Sequence, residues 1–582
     1  MTLLRFLVAL LALTMTVAVP APAAAASGVL YVDGKTGSDS ASGSSPSSAF
    51  QTISRAANAL PPGSAAAGWR IVVKGYADHV YRERPVPTGW GRTGLAGAPI
   101  SFEAAGYVAA KSGYVRPIVS GADALPAPGQ AWSRTSVAGV YSTPLVATPF
   151  GYGSSPGSSL PTALFQDLTT WLWEQPSLSA LGTRAASGKG GYWYDATARR
   201  IYVSAATATG TTVGTDPTGR SIDVILRNAF LFDGRSGADY VQVRGFEVRH
   251  SANGIAYLYG ADNGTVADNV VLGNLYMGIS ISGYQTPTGP EPALGHTVWR
   301  NRGTANTVQA IKLTNGASSA SVCYNEAWGN GLQGIKVEGA APGTGYTGRS
   351  TDITICGNRL HDQSFNPTGT TYNNASGVTI ANGVTKVTLR DNDLYRNDVG
   401  LLVTQEATGQ PAMNSVTITR NRVWSNRRFG LYFFDGYRGS GAGTMTASYD
   451  RIWGNGMGVM VDRGSTNKRL VHETIHANTG DGIHVGGYRV APASVTVTTS
   501  LITGNGGYGL WVVTGNSASV SYTGFSANTR GAITGTPTAV AVNTKAPGFV
   551  SVDPGSAEHL RIAPTSFQYT AGPSGTPIGA RY

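Results

Sequence analysis

The chain has 582 residues, a net charge of +11 and only 13% charged residues, against 78 glycines. No run of lysines or arginines occurs, which argues against a nucleic-acid partner. The diffuse positive charge favours an acidic polymer or an acidic surface instead.

Residues 1–26 read as a secretion signal. Arg5 gives the positive start, Phe6 to Val19 the apolar core, and Ala23 to Ala26 the small-residue cleavage region. The apolar run is shorter than the ~20 residues of a membrane span, and no later segment reaches that length. We therefore expect a secreted, extracellular chain with no membrane partner, acting as a monomer.

Residues 27–120 open with the strand Leu30-Tyr31-Val32-Asp33, followed by Phe50 to Ala57 at helical spacing and a strand from Trp69 to Val73. A solenoid needs a cap over its first open coil, and the helix at 50–60 fits that position. Residues 121–236 break the later period. Their aromatics Trp132, Trp171, Trp173, Trp193 and Tyr194 and the strand pair Gly191 to Asp195 and Arg200 to Val203 predict an inserted β-rich element.

Residues 237–535 repeat one phrase eleven times: an Asn or a stand-in, four residues, a second Asn, then Gly-aliphatic-x-aliphatic. Clear copies are Asn269-Asn274, Asn301-Asn306, Asn325-Asn330, Asn392-Asn397 and Asn421-Asn426. Degraded copies include Asn358-Gln363, Asp450-Asn455 and Glu473-Asn478. Short strands at a period of 23 to 34 residues mean a solenoid. A buried turn Asn bonds its copies above and below, so the Asn column is structural. Three residues further on, Trp328, His361, Tyr395, Trp424, Trp453 and His476 form a second column, which serves either inter-coil stacking or sugar contact. Residues 536–582 are rich in Pro and Gly and are expected to close the far end.

Cys323 and Cys356 each stand two residues before a repeat Asn, so they share a column on consecutive coils ~4.8 Å apart. They form either a disulfide, which export permits, or a stacked pair of free thiols.

The strand after each Asn pair alternates inward and outward. Its first outward column reads Ala256, Ser280, Lys312, Lys336, Thr379, Leu402, Tyr432, Met460, His484 and Trp511, and its second includes Thr314, Glu338, Phe434 and Asp462. Long connections flank this strand, as expected of a functional face that accepts a linear polymer. Lys312, Lys336 and Glu338 are the catalytic candidates. A lysine in its amine form can abstract the proton beside a uronic carboxylate, and stacked lysines lower each other's pKa while Glu338 opposes that. Glu406, Tyr432, Asp435 and Arg438 are candidate substrate contacts, with His361 and Asp362 expected to approach the same groove. Asp391 and Asp393 are read as solvated charges rather than calcium ligands.

These residues resemble secreted right-handed parallel β-helix proteins, including family-nine pectate lyases and β-helical glycosidases. Tyr31-Val32-Asp33 … Gly37-Ser38-Asp39 … Gln51-Thr52-Ile53 is similar to their opening segment, and Gly191 to Asp195 with Ile201-Tyr202-Val203 to an insert of the glycosidases. Gln309-Ala310-Ile311-Lys312 followed by Asn325 to Asn330 is similar to the lyase stretch whose lysine is the base. The resemblance implies an all-β right-handed parallel β-helix acting on a polysaccharide. It also implies paired aspartates as calcium ligands after the second Asn, where this chain has Leu332 and Gln333, so the cofactor stays open. The leading expectation is a lyase for an acidic polysaccharide, with Lys312 as base and Lys336 or Arg438 neutralising the uronate. The rivals are a hydrolase drawing on Glu338, Glu406, Asp435 or Asp462, whose paired carboxylates would lie ~5–9 Å apart, and a binding solenoid without catalysis.

Overall fold

The computed structural model describes residues 28–581 apart from 88, 147–159, 208–214, 228, 236, 341–343, 364–373, 406–410, 436–442, 488–491 and 557. The secretion signal and the candidates Glu406 and Arg438 lie outside the described residues.

Three long parallel sheets of 15, 13 and 12 strands run the length of the chain among the described residues. One coil shows how they are built. Ser321–Cys323 joins the 15-stranded sheet, Glu326–Trp328 the 13-stranded sheet and Gln333–Glu338 the 12-stranded sheet. Each strand pairs with its equivalent one coil away, so side chains stack in rows. The row Val266, Val298, Val322, Ile355, Leu389, Ile418, Ala447, Leu470, Val497 and Val520 is unbroken in register and buried throughout.

Two corners per coil turn the chain between sheets. The residue before the repeat amide adopts positive φ at both, as at Tyr324 (59°) and Gly329 (60°). For a residue other than Gly this costs ~1–2 kcal/mol, and the amide that follows offsets it. Asn325 donates from Nδ2 to Asn358 Oδ1 (3.0 Å) and to the Val298 carbonyl (3.0 Å), and its own Oδ1 accepts from Asn301. The first ladder continues through Asn358, Asn392 and Asn421 to Asp450. A second ladder runs through Asn274, Asn306, Asn330 and Gln363, and onward from Asn397 through Asn426, Asn455, Asn478 and Asn505 to Asn528. Backbone groups that a tight corner would orphan are thereby satisfied.

The repeat glycine also has a steric cause. A Cβ on Gly377 would lie 2.8 Å from the Gly400 carbonyl, and one on Gly400 would lie 2.6 Å from that of Gly430. Ala310 breaks this row. Its methyl group occupies space left by Gly303, where an added Cβ would come within 2.5 Å of it.

Cys323 and Cys356 pair in register and form a disulfide with a Cα–Cα distance of 4.5 Å. At the amino-terminal end, the helix Ile53–Ala59 buries Ile53, Ala56 and Ala57 and is capped by Thr52. The fully buried Glu83 accepts from the backbone of Ile53 (2.9 Å) and Ser54 (2.8 Å) at the helix start.

The insert is an eight-stranded, mostly antiparallel sheet with its own apolar core. Its strands run from Asp123 to Ile225, not to residue 236. Phe230–Arg235 is instead the first strand of the 12-stranded sheet, paired with Asn253–Leu258. A helix, Leu178–Ala186, for which no sequence signal was read, also lies in the β-rich insert; it packs Leu181 and Ala185 beside Trp193 and Tyr202. The tail does more than close the end. It returns beside earlier coils, with His559 against Trp453, Phe549 against His476, and Ala580 donating to Thr474.

Candidate active site

The 12-stranded sheet carries the outward column in the register expected from the repeat. Ala256, Ser280, Lys312, Lys336, Thr379, Leu402, Tyr432, Met460, His484 and Trp511 are consecutive partners. Lys312, Lys336, Tyr432, His484 and Trp511 reach the surface from this row, whereas Thr379, Leu402 and Met460 are buried.

Lys312 and Lys336 converge on one carboxylate. Lys312 Nζ lies 2.8 Å from Glu338 Oε1, and Lys336 Nζ lies 2.7 Å from Oε2. Glu338 is fully covered, while the lysine side chains are 14% and 15% exposed. Thr314 Oγ1 donates to Glu338 Oε1 (3.1 Å), and Ser350 Oγ donates to the Glu338 carbonyl (2.8 Å). Burial pushes the Glu338 carboxyl up, but the charges and hydrogen bonds of Lys312 and Lys336 outweigh it and hold the group below its usual range. The cluster thus presents two cations over one buried anion. Two residues before each Ile-Lys pair, Gln309 donates from Nε2 to Gln333 Oε1 (2.7 Å) and floors the neighbouring surface. The repetition of an amide at 309 and 333 was the sequence signal for this pair, and it passed unused.

Several candidates are corrected. Glu338 lies beneath the lysines rather than beside them on an open face, and its carboxylate is fully covered. Asp435 is 2% exposed and pairs with the fully buried Lys468 (2.9 Å). Burial raises the Asp435 carboxyl and lowers the Lys468 ammonium, each partly offset by the other. Lys468 also donates to the Thr466 carbonyl (2.9 Å), so the pair is held below the surface. His361 and Asp362 do not join the lysines. His361 belongs to the 13-stranded sheet, stacked between Trp328 (6.2 Å, 8°) and Tyr395 (4.7 Å, 13°), and Asp362 binds it (2.6 Å) together with Arg396. The ring column continues through Trp424 to Trp453.

Tyr432 remains on the outer face, 3.5 Å from Asp462, and burial raises its phenol. Farther along, His484 is oriented by Asp481 (3.0 Å), whose other oxygen accepts from the Tyr508 backbone (2.7 Å), while Trp511 meets the imidazole edge-on. The pairing of Asp481 with His484 was not read from the sequence, because their three-residue spacing gives no signal outside a helix.

The described residues at the positions where calcium ligands were expected do not fit that ion. Gln333 is engaged with Gln309, Leu332 has no donor, and Asp391 and Asp393 are each gripped by an arginine, Arg420 and Arg422.

The family pattern described as "Right handed beta helix region" matches residues 228–412 and 414–525. No curated protein matches the sequence. Among solved structures, the complex of XylC with xylose is similar over 91% of this chain and 88% of its own, at 14% identity and a TM-score of 0.56. A protein described as a glycoside hydrolase is similar over 89% of this chain and 96% of its own, at 10% identity and a TM-score of 0.39. The A-module of the Azotobacter vinelandii mannuronan C-5 epimerase AlgE6 covers 53% of this chain and 84% of its own, at 16% identity and a TM-score of 0.39. With half of its residues matched by the family pattern and its strands stacked into three parallel sheets, the chain belongs to the right-handed β-helix family.

Proposed function

We propose that the chain is an exported enzyme that cleaves a uronate-containing polysaccharide by β-elimination on the outer face of the 12-stranded sheet. The observation that carries this reading is the pair of stacked, partly exposed lysines over a single buried carboxylate. With both lysines protonated the cluster holds one more positive charge than negative, which draws in the carboxylate of a uronic acid before Lys312 gives its proton to solvent. Lys336 neutralises that carboxylate. Lys312, as the free amine, takes the proton from the carbon beside it. The electron pair forms a carbon–carbon double bond, the glycosidic carbon–oxygen bond at the next carbon breaks, and the departing oxygen takes a proton from solvent. Glu338 favours the ammonium that forms on Lys312 and sits where that charge develops.

Glu338 and Asp462 do not make the carboxylate pair that a hydrolase uses. Glu338 and Asp462 share the second outward column but are separated by Ala381, Thr404 and Phe434, about 19 Å at ~4.8 Å per strand. A glycosidase pair stands about 5–9.5 Å apart. Product analysis tests the reading. Elimination leaves an unsaturated end that absorbs in the ultraviolet, whereas new saturated reducing ends without that absorbance reject it.

A further inference from the structure

The insert contains a cleft that the lysine face does not use. Its volume is about 420 Å³, within the range of small-ligand sites. Trp171 and Trp173 lie two apart on the strand Thr170–Glu174, so both indoles face the same side, with Leu172 turned into the insert core. The opposite wall is the helix end and turn carrying Arg184 and Lys189.

These walls are fixed by hydrogen bonds. Gln166 brackets Ala206, accepting from its N–H (2.8 Å) and donating to its carbonyl (3.0 Å). Thr207 donates twice to the Gly188 carbonyl, from its backbone (3.1 Å) and its hydroxyl (3.2 Å). Arg184 donates from Nε to Gly190 (2.6 Å), and its guanidinium lies over the Trp173 ring at 5.6 Å. Neither Arg184 nor Lys189 has an acidic partner among the described residues, and no carboxylate lines the cleft among them. The cleft therefore sets two cations without an acidic partner beside two part-exposed indoles.

We infer that this cleft binds an acidic saccharide, its pyranose ring against the indoles and its carboxylate on Arg184 and Lys189. The chemistry follows from the side chains. A flat amphipathic indole covers the C–H face of a sugar ring while its polar edge stays wet, and a guanidinium accepts a carboxylate through paired N–H donors. This ligand class is read from the cleft alone and does not rest on the lysine face. The site also lies next to the solenoid, because Phe165, which meets Trp171 edge-on, stacks on His250 of the first coils.

The test uses the full-length chain carrying Lys312→Ala, Lys336→Ala and Glu338→Gln, the last so that no carboxylate is left buried without a cation, shown by circular dichroism to be folded and titrated at low salt with polygalacturonate, a neutral xylan and polyglutamate. Polygalacturonate binding that survives in this background, weakens with added salt, and falls at least about tenfold on adding Trp173→Ala or Lys189→Ala is the expected result. Lys189 is exposed, so its removal leaves the fold intact even if Trp173→Ala does not fold. Loss of all binding in the folded triple variant, or no effect of Lys189→Ala, overturns the cleft. Equal affinity for polyglutamate overturns the saccharide class. If the parent chain binds uronate through the cleft but cleaves nothing, the cleft stands and the lyase reading falls.

Discussion

The first Asn ladder ends in two acids, and that substitution sets a pH limit on the solenoid. Asp450 accepts from the Asn421 backbone (2.6 Å) and from its Nδ2 (2.8 Å), and its own N–H donates to Glu473 (3.1 Å). Both acids are completely buried. Burial pushes the Asp450 carboxyl up to about 7 against the opposing hydrogen bonds of Asn421, and burial with the neighbouring Asp450 charge carries Glu473 well above its usual range. A carboxyl raised in the folded chain contributes stability that is complete below its unfolded value of 3.8 and is lost as pH rises through about 7. At ~1.4 kcal/mol per pH unit, the Asp450 contribution is about 4 kcal/mol at most. Asp450→Asn keeps the acceptor and supplies a neutral donor, as in the preceding coil, where Asn421 donates to the Leu389 carbonyl. Thermal unfolding across pH 4–9 should therefore show the variant close to parent at pH 4 and more stable above pH 7, by up to about 4 kcal/mol. Parallel profiles for variant and parent, or a variant less stable at every pH, would refute the reasoning.

Three further outcomes follow from the same packing. Cys323→Ser or reduction should lower the melting temperature, because opening a closed loop of 33 residues costs about 3–4 kcal/mol, and calorimetry with and without reductant measures it. Asn392→Ala removes the acceptor of the Asn358 N–H and leaves Asn358 Nδ2 with the Val322 carbonyl alone, costing about 2–4 kcal/mol in denaturant unfolding while leaving the lysine cluster in place. Asp435→Asn strands the buried ammonium of Lys468 and should cost about 3–5 kcal/mol, whereas Asp435→Asn with Lys468→Met should recover most of it.

The fold was legible because its cause is periodic. Each Asn at a corner, each Gly where carbonyls crowd, and each alternating Val or Ile serves the same purpose in every coil, so the register of Lys312 on Lys336 and of Cys323 on Cys356 followed from counting. Depth was harder to read. Alternation places Glu338 on an outward position and the end of the strand puts Asp435 at the start of a loop, yet both are covered, and burial depends on residues far apart in sequence. The pairing of Asp435 with Lys468, 33 residues away, leaves no local pattern. His361 was misplaced for a related reason, since a long connection after it says nothing about which of the three sheets its ring lies on. In the insert, where no period exists, the helix Leu178–Ala186 and the end of the element at Ile225 were both missed.

The most direct test of the central claim is a comparison of Lys312→Ala and Lys336→Ala with the parent, following ultraviolet absorbance from uronate polymers under initial-rate conditions. With Lys312 as the base, kcat should fall about 10²–10⁴-fold in Lys312→Ala and stay low when Glu338→Gln is added to relieve the buried carboxylate of its lost partner, while Lys336→Ala chiefly raises KM. Full activity in Lys312→Ala would contradict the account.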